Sequence, residues 1–241
     1  MSPEIISELA PRGVLRAGIN MGNFLLVSGS SPGGDPEGVA PDMAREIATR
    51  LGVPIVYVKF AKPGELADAA GSDAWDIGLI GAEPARAEKI AFTAAYVEIE
   101  ATYLVPAGSP LKTVADVDRP GVRIAVSARS AYDLWLDRNI KHAELVRAEG
   151  LDGSFKAFVD GKLDALAGLK PRLLTDVEKL PGARILDGQF TAVQQAIGTA
   201  RGNQAAAAFL RGFVEEAKAS GFVASLIERH HVRGLSVAPA G

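Results

Sequence analysis

The sequence predicts an α/β fold of two lobes, each with a largely parallel sheet. Two observations carry this. Apolar runs of strand length alternate with segments of helical periodicity, once before Pro106 and again after it. Some runs, such as 77–80, are apolar at successive rather than alternate positions, which suits strands buried on both faces.

Taken in order, residues 3–9 read as a short helix. Residues 41–50 place Met43, Ile47 and Leu51 on one helical face, with Gly52 as the stop. Residues 55–60 are rich in β-branched and aromatic side chains and read as a strand. A short helix over 65–70 ends at Gly71; the strand 77–80 is broken by Gly81, and a helix starts from Pro84. Residues 98–105 alternate, with Ile99, Ala101, Tyr103 and Val105 on one side of a longer strand. After Pro106 come a strand at 122–126, a helix at 130–138 and a strand at 144–147. A helix at 154–160 closed by Gly161 and a strand at 165–167 follow. A strand at 194–199 leads to an amphipathic helix over 203–220, with Phe209, Leu210, Phe213, Val214 and Ala217 on its apolar face and Gly221 at its end.

Composition narrows the function classes. With 48% apolar and 23% charged residues and a formal net charge of −3, nothing suggests a nucleic-acid surface, and sparse aromatics argue against a base-stacking platform. The absence of cysteine removes disulfides, thiolate chemistry and cysteine-based metal sites. No run of about 18 apolar residues is present, so no membrane-spanning helix is expected. Residues 1–16 lack the basic start, apolar core and small-residue cleavage site of a secretory signal. Two readings stay open: a mature form carrying an added Met, or a protein made without an export signal.

The most informative stretch runs from Asp76 to Arg86 and continues to Phe92, Thr93 and Tyr96. Pro84 suits the first helical position, and Arg86 falls in the first turn, where free N–H groups favour an anion. A guanidinium there can hold a carboxylate through two parallel hydrogen bonds. With its flanks, this stretch resembles the amino-acid-type periplasmic solute-binding proteins (solute-binding protein family 3). Other segments add to the resemblance: 13–18 as an opening strand, Gly38-Val39-Ala40-Pro41-Asp42-Met43, 121–126 as the first strand of the second lobe, and Asp160-Gly161-Lys162-Leu163-Asp164-Ala165.

The resemblance implies a type II periplasmic binding protein fold, two Rossmann-like lobes with a hinge. The first lobe is expected over 1–104 plus 196–241, the second over 105–195, with the ligand cleft between them. It also implies an ABC-type uptake system, a membrane permease as partner, a monomer, a periplasmic location and no cofactor. The missing signal keeps a cytoplasmic location open. The expected ligand is a small carboxylate or an amino-acid-like molecule.

The site expected from the resemblance is Gly81, Ala82, Glu83 and Arg86 on one side, with Asn20 and Phe24, and Arg129, Ser130, Ala131 and Leu169 on the other. Arg86 is the carboxylate anchor, or else an exposed arginine pairing with Glu83 or Glu88. Glu83 stands where the family carries Thr or Ser; it is either a poor helix cap or an acceptor for a cationic or hydroxyl group. Ser130 can cap a helix whose N–H groups take a carboxylate oxygen, while Arg129 occupies the family's glycine position. Phe24 is read as a stacking or a core residue, Trp75 and Trp135 as packing residues, and Asp164 as structural. Leu169 stands where amino-acid binders carry an Asp for the ligand's ammonium. A leucine cannot pair a buried ammonium, so an amine-free carboxylate is expected, or an amine read by Glu83.

Neither a catalytic nor a metal site is expected. The G-x-S-x-G match at 29–33 is followed by Gly34-Asp35-Pro36, which forbids the required helix. His230 and His231 are adjacent and share no helix face. Two rivals to a binding protein are a dehydratase on the same scaffold, with Glu83 or Glu100 as general acid, and a ligand-sensing signalling module.

Overall fold

Each round of strand–helix alternation builds its own run of parallel strands. The computed structural model describes residues 1–241. They divide into two units, one of Met1–Glu98 with Gln194–Gly241 and one of Ile99–Val193.

The first unit opens with α1 (Pro3–Leu9), β1 (Leu15–Asn20), the small hairpin β2 (Gly29–Ser30) and β3 (Pro36–Glu37), and α2 (Val39–Leu51). It continues through β4 (Ile55–Phe60), α3 (Pro63–Asp68), β5 (Ile77–Gly81), α4 (Pro84–Ala87) and β6 (Ile90–Phe92). The chain enters the second unit within β7 (Val97–Val105). There follow β8 (Arg123–Ser127), α5 (Ala131–Asn139), β9 (Glu144–Ala148), α6 (Gly150–Asp160), β10 (Ala165–Leu169), α7 (Lys170–Val177) and β11 (Arg184–Ile185). It returns within β12 (Thr191–Ala200) and ends with α8 (Gln204–Ala219), α9 (Phe222–Arg229) and β13 (Ser236–Val237).

In the first unit β1 pairs in parallel with β4 and β5, while β12 runs antiparallel to β5 and β6. In the second, β8 pairs in parallel with β9 and β10, and β7 runs antiparallel to β10 and β11. Parallel pairing thus holds at the strand–helix repeats, and each run also takes antiparallel strands. The alternation expected along β7 is not kept: Ala101 to Val105 are all buried, because both faces of that strand are covered.

The core of the first unit is where the long helices meet the sheet. On α8, Ala206, Leu210, Phe213, Val214 and Ala217 form one buried stripe, packed with Ile19, Met43, Ile47 and Leu79. Burial of Leu210 or Phe213 contributes about 1.5–3 kcal/mol each. On the other face of β5, Trp75 packs with Leu66, Ile80 and Ile90, and its Nε1 donates to Leu66 O at 3.1 Å. Gly78 makes room there, since a Cβ would come within 2.9 Å of Leu66 Cδ2.

Four helices are followed within two residues by one that takes a left-handed conformation. Gly52 does so after α2, where Val53 N reaches Ala48 O. Gly221 does so after α8, His231 after α9 and Lys162 after α6. At α6 the Lys162 N–H donates to Val159 O and the Leu163 N–H to Phe158 O. The helix stops at Asp160 with Gly161 as its cap, as expected; Gly161 itself is right-handed, and Lys162 makes the left-handed turn.

Candidate functional site

The strand that leads to Arg86 is pinned at its start. Asp76, just before β5, accepts the Arg16 backbone N–H at 2.8 Å and Arg16 Nη2 at 2.7 Å. Both side chains are nearly fully buried, at 3% and 10% exposure. This clamp ties β5 to β1, whose residues Gly18 and Gly78 lie in register. At the far end Gly81 pairs with Gln195 of β12, and the Ala82 N–H donates to Gln194 O at 2.7 Å.

Glu83 sits at the N-cap of α4 without a side-chain capping bond, and Pro84 is the first helical residue. The helix expected from Pro84 is a single turn, since the chain leaves it for β6 three residues after Ala87. A helix of one turn has little dipole, so any attraction for an anion rests on the side chain of Arg86. That side chain is buried: Arg86 is 5% exposed, and Nη1 donates to Gly81 O at 2.8 Å. The exposed-arginine alternative is thereby removed. Burying a guanidinium is costly unless acceptors meet its donors, and the carbonyl at the end of β5 supplies one.

Asn20 ends β1 and accepts the Gly22 N–H at 3.1 Å, a side-chain turn that shapes the following loop. Asn23 is buried and accepts from the Leu25 and Leu26 N–H groups. Phe24 is 40% exposed, so it is not the core residue that was one of its two readings.

In the second unit β8 runs into the loop before α5. Arg129 is exposed and left-handed, with φ 61°, the conformation a glycine adopts without cost. Ser130 caps α5 as expected, accepting the Asp133 N–H at 3.1 Å, and Asp133 Oδ2 accepts the Arg129 N–H at 2.7 Å. Asp133 is buried and also takes Arg147 Nε at 2.9 Å. The sequence reading missed Asp133, although a Ser followed three residues on by an acid is a helix-start signal. Ala131 and Tyr132 open the helix, where N–H groups have no intrahelical acceptor. The Tyr132 hydroxyl is buried, out of hydrogen-bonding geometry. Burial pushes this phenol up to about 12, with the nearby Ser130 and Ser127 side chains opposing.

Leu169 closes β10, pairs with Ala101 and is 7% exposed. Asp164 accepts the Arg123 N–H at 2.8 Å, a structural role at a strand start. Trp135 packs on Phe190 with ring centroids 5.5 Å apart. Glu100 is exposed on β7 and paired with Lys170 Nζ at 2.7 Å, which is not the desolvated setting of a general acid.

A family match decides what kind of protein carries these residues. It covers residues 22–232. The chain belongs to the bacterial extracellular solute-binding proteins, family 3. No curated protein matches it. Among solved structures, this solute-binding protein is similar to a mutant of ArgBP from T. maritima, with 24% identity, a TM-score of 0.74 and coverage of 95% of this chain and 100% of that one. It is also similar to the substrate binding protein of an amino acid ABC transporter, with 20% identity, a TM-score of 0.72 and coverage of 92% and 100%. A third likeness is to a variant of an ancestral cyclohexadienyl dehydratase, with 25% identity, a TM-score of 0.53 and coverage of 95% and 97%. The shared architecture is the type II periplasmic binding protein fold expected from the sequence.

Proposed function

We propose that this solute-binding protein takes a small carboxylate for an ABC-type uptake system, with Arg86 as the carboxylate anchor. The burial of the Arg86 guanidinium carries this reading: a desolvated fork of donors, held by Gly81 O, is suited to bidentate capture of a carboxylate. The start of α5, with Ser130 and Ala131, is the second anion-binding element in the proposal. Gly81, Ala82, Asn20, Phe24, Glu83 and Arg129 complete the proposed set.

The likeness to the substrate binding protein of an amino acid ABC transporter favours an amino-acid-like skeleton. Leu169 offers no charge for an ammonium, which favours a carboxylate without the amine; an amine, if present, falls to Glu83. Association with a membrane permease, a monomeric state and work in the periplasm belong to the same proposal. No helix of the chain is long and apolar enough to cross a membrane.

The likeness to a cyclohexadienyl dehydratase variant supports a second reading, with Glu83 as the acid of a dehydration. The test is recovery of the ligand. Incubation with any carboxylate that stabilises the protein, followed by mass spectrometry, returns it unchanged from a binding protein. Loss of water from it establishes the enzyme instead.

A further inference from the structure

We propose that the second unit holds a separate ligand site, an apolar cavity that takes a small amphiphilic carboxylate whose acid group is met by Lys162. The inference stands apart from the solute-binding reading, because none of the residues proposed for that function lines the cavity.

The cavity measures about 300 Å³ and lies among the end of α6, the chain after β7 and the turn before β11. Its walls include Phe158, Leu163, Leu180, Pro181 and Pro106, and Lys162 is its one charged lining residue. That volume is at the lower end of small-molecule pockets, which are mostly apolar with a few placed polar groups. Val159, at 40% exposure, and the exposed Lys162 put solvent within reach of the α6 end of the cavity.

The Lys162 ammonium enters no ion pair; only the residue's backbone is bonded, its carbonyl accepting Arg123 Nη2 at 2.9 Å. The nearest acids in sequence are already engaged, Asp160 with Lys156 and Asp164 with Arg123. Backbone demands do not account for a lysine here. With φ 48° it holds the left-handed position that Gly52 fills at the end of α2, a conformation that side chains with a Cβ adopt at a cost. The same turn sets Phe158 and Leu163 into the cavity wall.

An apolar wall with one cation at its edge recognises an apolar body bearing one acid group. A second charge on the ligand would be buried unpaired. Phenylacetate has this form, and phenylacetamide is its neutral counterpart. In amide correlation spectra, titration with phenylacetate is expected to shift Leu163, Leu180 and Ala183. Phenylacetamide is expected to bind at least about tenfold more weakly, the loss of one charge-assisted hydrogen bond. Lys162→Gly and Lys162→Asn both suit the left-handed turn; each is expected to weaken phenylacetate at these amides by about tenfold. The proposal is overturned if those amides do not respond, if shifts appear only around Arg86 and Ser130, or if both lysine variants bind like the parent.

Discussion

Replacing Arg86 by Ala removes the group on which the proposed carboxylate site depends. The guanidinium is 5% exposed and one of its nitrogens is already fixed by Gly81 O at 2.8 Å, so the fork is desolvated and oriented before a ligand arrives. Truncating one partner of such a buried charge pair costs about 2–5 kcal/mol, much of it from the other charge left without a partner. That corresponds to roughly 30-fold to several-thousand-fold in dissociation constant. Arg86→Lys keeps the charge but loses the planar fork, so an intermediate loss is expected. Isothermal titration of parent and variants, with thermal melts of the ligand-free proteins as a check on folding, reads these effects. A folded Arg86→Ala variant that binds within about twofold of the parent would refute the reasoning, because a desolvated anchor cannot be worth so little.

Three further outcomes follow from the same geometry. Asp76→Asn breaks the buried clamp with Arg16 and is expected to cost about 3–5 kcal/mol in urea unfolding; a cost under about 1 kcal/mol would show that β5 is held otherwise. Tyr132→Phe deletes a buried hydroxyl that makes no hydrogen bond, so stability should be unchanged or rise by up to about 1 kcal/mol, and a lower melting temperature would show that the hydroxyl is satisfied. Burial raises the pKa of Asp118, but three successive N–H donors, from Ala143, His142 and Lys141, outweigh it and hold the carboxyl below its ordinary value. A carboxyl lowered in the folded state adds stability above the unfolded value, about 3.9, and loses it as pH falls through the folded value. Asp118→Asn should therefore flatten the decline in melting temperature below about pH 4, and an unaltered acid limb would contradict this.

How far the sequence could be read depended on whether a feature was local. The stop at Gly52, the cap at Ser130 and the apolar face of α8 each follow from residues close together in the chain, and each was legible. Helix α7 was not read from the sequence, although a proline within its first turn, Pro171, is a starting signal. Strand β6 is three residues long, too short for a period to show, and exists through its pairing with β12. Helix α6 begins at Gly150, four residues before the expected start, since its first turn is Gly150-Leu151-Asp152-Gly153, with two glycines that lower helix propensity. At the candidate site, residue identities were legible but environments were not. Arg86 reads equally as a surface or a buried side chain until β5 and the turn after it fold, and only the fold shows its guanidinium turned back onto Gly81. Lys162 gave no signal at all, because a cavity wall is made from three separated segments.

Thermal melting against a ligand panel tests the central claim most directly. The panel pairs α-amino acids with their keto and hydroxy counterparts and adds small aliphatic and aromatic carboxylates. A ligand at a hundred times its dissociation constant adds about 2.7 kcal/mol, or about 5–10 °C for a chain of this size. A rise with amine-free carboxylates, abolished by Arg86→Ala, is the result expected from a buried guanidinium and a leucine at 169. A rise with amino acids alone, or one that persists without Arg86, would contradict it.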